Sequence, residues 1–366
     1  MQKSAYPAIG RNLIAWFETN GRDLPWRMEH RPYQIWISEI MLQQTRVNTM
    51  LPYYRRWMER FPDVRHVASA SEEDLLKHWE GLGYYPRVWN IAETARILCA
   101  KHGGKLPCDH GVILNLPGIG PYTAGAVMSL AFNEDYPAVD GNVERILSRL
   151  LDIETPVKER GNRERIWKTA RDLIPHGDAR RFNQALMDLG AMVCLPAKPS
   201  CAQCPIGAFC LSFKRGVVGK RPVRSAKKQP LAIDVAVGIL MRAGRFFIQK
   251  RPSSGLMPGL WEFPGGKVTE GETAAEALVR ELREELGVEV CGLTKIAIIK
   301  HSYTSFRVTL HAFACTLRDE TAQPEIRAAV EARWVSPKEL EDFAFPAANR
   351  RLIRILAKDG GISPGV

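Results

Sequence analysis

Four cysteines fall within CLPAKPSCAQCPIGAFC, residues 194–210, at the spacing C-x6-C-x2-C-x5-C. Thiols this close require the loop to fold back on one centre, which points to a structural metal or an iron–sulfur cluster. Structural zinc usually pairs two C-x2-C knuckles, and only one such pair is present. Disulfides are disfavoured in the intracellular setting that the chain's other features suggest. Cys99, Cys108, Cys291 and Cys315 show no such spacing and read as small apolar residues.

A chain of 366 residues fits two domains better than one. Residues before the cysteine loop read as mainly helical, with apolar residues at helical spacing in Ile35–Met50, Asp74–Trp79, Val88–Leu98, Ala124–Ala131 and Arg145–Leu151. FKRGVVGKRPVRSAKKQ, residues 213–229, holds seven Lys or Arg and no acid, and reads as a solvated connector. AIDVAVGILM with GRFFIQKR, and later KIAIIKHSYTSFRVTLHAFACTL, read as strand pairs, and the tail as two short helices. The expected domains are a helical one over 1–212, a basic linker over 213–230 and an α+β one over 231–360. The formal net charge of +11 favours a polyanion such as nucleic acid. No apolar run approaches the roughly 18 residues of a membrane span, and the N-terminus has no signal-peptide pattern. A soluble, cytoplasmic protein and no membrane partner are expected.

LPGIGPYTAG, residues 116–125, places two glycines one residue apart before a helix. Gly118 and Gly120 would let the backbone approach a phosphate, with the helix N-terminus behind it. Alone, this is the pattern of any Gly-rich turn between helices. Together with the cysteine spacing it resembles the helix-hairpin-helix and [4Fe–4S] loop of the endonuclease III superfamily of DNA glycosylases. The resemblance implies an all-α glycosylase core, with Cys194, Cys201, Cys204 and Cys210 as cluster ligands.

Asp140, in YPAVDGNVERIL, would by itself be a helix N-cap. In the superfamily the matching Asp stabilises the sugar cation as the glycosidic bond breaks. Relatives that also cut the backbone carry a Lys two residues after the second glycine, as a Schiff-base nucleophile. Here that position is Tyr122, so a monofunctional enzyme is expected, with the glycosylase/lyase as the alternative.

WISEIMLQQTRV, residues 36–47, resembles the catalytic helix of the adenine DNA glycosylase (MutY) family. The resemblance implies that Glu39 protonates adenine N7, which requires desolvation to raise its pKa. RDLPWR implies that Trp26 and Arg27 line the adenine pocket, and FNQALMDLGAMVC that Gln184 and Asp188 reach it. GLGYYPR resembles the family's loop that wedges into the duplex, which implies that Tyr84 stacks beside the lesion and that Leu82, with Gln44 of the catalytic helix stretch, fills the gap left by the flipped base. Asn142 would buttress the sugar site, with Tyr122 hydrogen-bonded to Asp140. The implied substrate is duplex DNA carrying adenine opposite 8-oxoguanine or guanine, in base excision repair. A monomer, associated with a bacterial nucleoid through DNA binding, is expected.

GGKVTEGETAAEALVRELREELGV, residues 265–288, resembles the full signature of the Nudix hydrolases. Glu281, Glu284 and Glu285 are its candidate Mg²⁺ carboxylates. In the adenine glycosylase family a Nudix-like domain recognises 8-oxoguanine, and its box is often degraded. Here the box is intact, so hydrolysis of 8-oxo-dGTP-like nucleotides is a second alternative. By resemblance Asn349, in FPAAN, contacts the oxidised purine. The family's Phe-Ser-His turn corresponds to Tyr303, Thr304 and Ser305.

Overall fold

The computed structural model describes residues 2–223, 230–303 and 306–358. The chain divides into two compact units, residues 1–69 with 90–227, and 70–89 with 228–366. Among the described residues, no helix is long and apolar enough to cross a membrane.

The first unit is helical. Its helices are α1 (Tyr6–Asn20), α2 (Pro32–Leu42), α3 (Val47–Arg60) and α4 (Val64–Ser69). The second unit takes α5 (Glu72–Trp79), and α6 (Pro86–His102) contributes residues to both. The first unit continues with α7 (His110–Leu114), α8 (Pro121–Phe132), α9 (Gly141–Leu150), α10 (Arg160–Asp172), α11 (Ala179–Met192) and α12 (Leu211–Lys214).

Helix α9 buries Val143, Ile146, Leu147 and Leu150, the i, i+3, i+4, i+7 stripe of an amphipathic helix. That stripe meets Ile9 and Leu13 of α1 and Phe182, Ala185, Leu186 and Leu189 of α11. Each of the larger side chains here contributes about 1.5–3 kcal/mol by leaving water. Helix α2 differs: every residue from Ile35 to Met41 is buried, Glu39 included. The continuous helix expected over Ile35–Met50 is broken. α2 stops at Leu42, Gln44 takes φ +61°, and α3 starts afresh at Val47.

The first part of the expected connector is anchored by two arginines. Ser212 is buried, and Arg215 and Arg221 both pair with the buried Asp152, at 2.7 and 2.9 Å. Arg215 and Arg221 thus tie this stretch to the helical unit at an acid that would otherwise be buried alone, while residues 213–216, 219 and 220 stay exposed. Residues 224–229 lie outside the described residues.

In the second unit seven strands form one sheet: β1 (Leu231–Arg242), β2 (Arg245–Lys250), β3 (Trp261–Glu262), β4 (Gly265–Lys267), β5 (Val290–Ser302), β6 (Phe306–Leu317) and β7 (Glu331–Val335). The main order is β3-β2-β1-β6-β5; β4 pairs with β1, and β7 with β2. β1 and β6 run parallel, with Ala236 opposite His311 and Val237 opposite Ala312. The other pairs are antiparallel, including both pairs expected from sequence.

Ala236 and Leu240 pack against α13 (Ala274–Leu286) through Ala277, Leu278, Leu282 and Leu286. Val237 and Ile239 join a separate core with Ala348, Leu352, Ile353 and Leu356 of α14 (Ala347–Lys358). This alternation is the strand's period of two. The first expected tail helix is only a 3-10 turn, Glu339–Asp342.

Candidate active site

Two packing contacts decide where Asp140 sits. The extended segment Tyr136–Ala138 is pinned by Asn183 of α11, fully buried. Its Oδ1 accepts from Ala138 N at 3.0 Å, and its Nδ2 donates to Tyr136 O at 2.9 Å. On the same segment, Gly125 of α8 packs so tightly that a Cβ there would lie 2.1 Å from Pro137 O. Asp140 comes next as the N-cap of α9, accepting from Asn142 N at 2.9 Å and Val143 N at 2.8 Å. One carboxylate thus both caps α9 and lines a cleft. Its other oxygen accepts from Asn142 Nδ2 at 2.7 Å. Asn142 Oδ1 in turn accepts from Arg145, which also donates to Gly190 O and Cys194 O.

Glu39 and Asp140 line one cleft of about 820 Å³, whose walls include Trp26, Arg27, Gln44, Tyr122, Asn142 and Gln184. Glu39 is 2% exposed. Burial pushes its carboxyl up to about 7; the Tyr122 hydrogen bond opposes this and the charge of Asp140 adds to it. Asp140 is also raised, by burial, against its hydrogen bonds from Val143 and Asn142. Two acids of different surroundings therefore share a pocket, the pattern of a proton donor beside a charge stabiliser.

Three expectations need correction. Tyr122 donates its hydroxyl to Glu39 Oε2 rather than to Asp140. Asp188 does not line the cleft. It is fully buried, and takes Arg27 in a two-pronged pair at 2.8 and 2.9 Å, with Arg22 Nε at 2.8 Å. Burial would raise Asp188, but the Arg27 and Arg22 hydrogen bonds and charge hold it below the usual carboxylate range. It fixes Arg27 from behind, which is a supporting task. Asp188→Ala would leave two arginines facing an empty acceptor, and is expected to destabilise the fold by about 3 kcal/mol, read by urea unfolding. Leu82, third, is buried rather than projecting, at 8% exposure.

Gln44 is exposed on the cleft wall and Tyr84 is 55% exposed at φ +48°. In the hairpin, Gly118 has φ +71° and lies against Asn90, whereas Gly120 caps α8 with nothing near its Cα face. Cys194, Cys201, Cys204 and Cys210 line one small pocket of about 30 Å³ with Arg149 and Ile206. Arg149 donates to Cys194 Sγ at 3.2 Å. Four thiols lining one pocket fit an iron–sulfur cluster in donor type. As they stand, no three Cys, His, Asp or Glu side chains among the described residues form a metal-holding group.

The second unit has a cavity of about 300 Å³ lined by Gln249, Arg251, Glu262, Glu285, Tyr303 and Asn349, among others. Thr304 and Ser305 lie outside the described residues. Sequence pattern does not single out Glu262; burial pushes it up to about 7 against the pull of Arg251. Gln249, equally silent in sequence, donates to Glu285 Oε2 at 2.9 Å. The signature carboxylates do not converge. Arg280 pairs with Glu272, Glu281 and Glu284 at 2.7, 3.0 and 3.2 Å, while Glu285 turns to Gln249.

Residues 37–172 match the HhH-GPD superfamily of base excision DNA repair proteins, and residues 236–354 match the NUDIX domain. An adenine DNA glycosylase of Buchnera aphidicola (subsp. Schizaphis graminum) is 36% identical over 94% of this chain and 97% of its own length. The chain belongs to the adenine DNA glycosylase family. The human member is 31% identical over 95% of this chain and 74% of its own. The Arabidopsis thaliana member is 38% identical over 73% of this chain, which spans about half (49%) of that relative.

Among solved structures, a thermostable thymine-DNA glycosylase matches at TM-score 0.54 and 30% identity, over 58% of this chain and 98% of its own. An endonuclease III in a non-covalent DNA complex matches at 0.51 and 22%, over 59% of this chain and 98% of its own. That second match speaks for the helix-hairpin-helix fold. The chain's net charge of +11 suits the phosphates of a nucleic acid.

Proposed function

We propose that this chain removes adenine paired with 8-oxoguanine or guanine, by hydrolysis of the N-glycosidic bond and without cutting the backbone. The observation that carries this is Glu39, buried, raised to about 7 and sharing a cleft with Asp140. An adenine turned out of the stack enters that cleft. The Glu39 carboxyl gives its proton to N7, so the C1′–N9 bond breaks with its electron pair leaving on a neutral base. Asp140, ionised, stabilises the positive sugar. Water then adds to C1′ and loses its proton to the Glu39 carboxylate. Tyr122 holds Glu39 in place and, lacking an amine, offers no Schiff base.

Cys194, Cys201, Cys204 and Cys210 would hold a [4Fe–4S] cluster, which would supply a cross-link for the loop behind α9 and α11. The second domain reads 8-oxoguanine. Supporting this are Asn349, Gln249 and the half-buried Tyr303, whose ring packs 4.6 Å from Phe306, around one cavity. Nucleotide hydrolysis with Mg²⁺ is the lesser reading, since Arg280 pairs with two of the three candidate Mg²⁺ carboxylates, Glu281 and Glu284, and Gln249 with the third, Glu285.

The deciding experiment is a single-turnover assay over a panel of mispairs, with borohydride present in parallel. Adenine release from A:8-oxoguanine and A:G duplexes is expected, with no trapped protein–DNA adduct. Retention of adenine in both duplexes, or a trapped adduct, would overturn the reading. Incubation with 8-oxo-dGTP and Mg²⁺ is expected to release no pyrophosphate.

A further inference from the structure

Glu80 ends α5, where the helix dipole is negative and a carboxylate is locally unfavourable. Two of its partners lie some 270 residues away. Oε1 accepts from Phe345 N at 2.8 Å and from Arg350 Nε at 2.6 Å. Oε2 accepts from Lys77 Nζ at 3.2 Å. Lys77 and Arg350 both donate to Phe343 O, at 3.3 and 2.7 Å. The Glu80 and Arg350 side chains are only 15% and 11% exposed. A screened surface pair would do little; this one is largely shielded and shares a backbone N–H.

Two further contacts join the same regions. Lys250 pairs with Glu73 at 3.4 Å. Gly259, at φ +74°, lies so near the Trp89 ring that a Cβ would come within 2.9 Å of it. Residues 73–89 are thus built into the sheet-bearing unit.

Immediately after Glu80 the chain turns, over Gly81–Tyr84. Gly81, Gly83 and Tyr84 have φ of +96°, +67° and +48°. Arg87 stiffens this turn from within, donating to Leu82 O at 3.0 Å and Gly83 O at 2.8 Å, with Trp79 and Tyr84 on its guanidinium. At the other end of the link, Pro346, Ala348 and Asn349 line the second cavity, while Phe345 N and Arg350 hold Glu80. One short segment therefore touches the cavity on one side and the anchor of the turn on the other.

We propose that Glu80 is a positioning residue for opposite-base discrimination, coupling the Tyr84 turn to the segment Phe345–Arg350 that lines the second cavity. The proposal rests on the function proposed above, in which that cavity reads 8-oxoguanine. Coupling of this kind typically spans about 5–150-fold in the quantity it controls.

The test uses full-length Glu80→Gln, Arg350→Gln and the double variant, with thermal melting as a check that each is folded. Single-turnover adenine excision is measured opposite 8-oxoguanine and opposite guanine. Each single variant is expected to lower the ratio of the two rates by about tenfold, through the 8-oxoguanine rate, with the guanine rate within about twofold. The double variant is expected to be no worse than the more impaired single one, because both break one link. An unchanged ratio, or an equal fall of both rates, would overturn the proposal. Wild-type protein that leaves adenine in both duplexes overturns the proposed function and this inference with it. Wild-type excision with an unaltered ratio in Glu80→Gln overturns the inference alone.

Discussion

Glu39→Gln is expected to slow single-turnover adenine excision by about a thousandfold, while the protein stays folded and becomes more stable at alkaline pH. The amide keeps the shape and can still accept from Tyr122, but it has no proton to give at pH 7. The stability gain comes from the raised carboxyl. Between its unfolded value near 4.3 and its folded value of about 7, the native state binds a proton that the unfolded chain does not. Wild-type stability therefore falls as pH rises through that window, and the penalty is complete above about 7. Its size is about 4 kcal/mol, and the amide removes most of it. Urea unfolding at pH 5 and pH 8 should show variant and wild type close together at the first and separated at the second. The wild-type rate should fall tenfold per pH unit above about 7, as the donor loses its proton. Near-normal excision by the variant would remove Glu39 from the mechanism.

Gly125→Ala is the second large effect. Its Cβ would stand 2.1 Å from Pro137 O and 3.1 Å from Pro137 C, both backbone atoms. Nothing flexible can yield, so α8 and the segment leading to Asp140 must separate. Overpacking of this kind costs about 1–3 kcal/mol, and displacement of a site group by about 1 Å can cost a hundredfold in rate. A lowered melting temperature together with a hundredfold slower excision is expected. Gly120→Ala is the contrasting control. Its φ of −94° suits alanine and nothing lies within 4 Å of the added carbon. Melting should be unchanged or slightly raised, while duplex binding weakens if the hairpin backbone closes on a phosphate. Wild-type excision by Gly125→Ala would show that the segment has slack.

The two glycines also mark what a sequence can and cannot disclose. The cysteine loop, the hairpin and the signature helix are legible because their chemistry depends on spacing along the chain. Glu39 and Asp140 are singled out by family pattern, and both line one cleft. Asn183, Gly125 and Gly190 are not legible. Each acts on a backbone or side chain far away in sequence: Gly190, for one, leaves only 2.6 Å between its missing Cβ and Asn142 Cβ. Asp188 escapes for a related reason. One-dimensional pattern puts it on the pocket helix but cannot see the two arginines waiting behind it. The break at Gln44 carries no local signal either. Glutamine has no preference for φ +61°, so tertiary packing imposes it.

The second unit is discontinuous along the chain, and this bears on its synthesis. Residues 70–89 leave the ribosome early, yet the groups that satisfy Glu80 are some 270 residues further on. β1 must likewise wait for β6, to which it pairs in parallel and from which β2, β3, β4, α13 and β5 separate it along the chain. Pairings of such long sequence separation form slowly, after local helices. The nascent chain therefore carries α5 and the Tyr84 turn through most of its elongation without their final partners, and the two ends of this unit mature together, last.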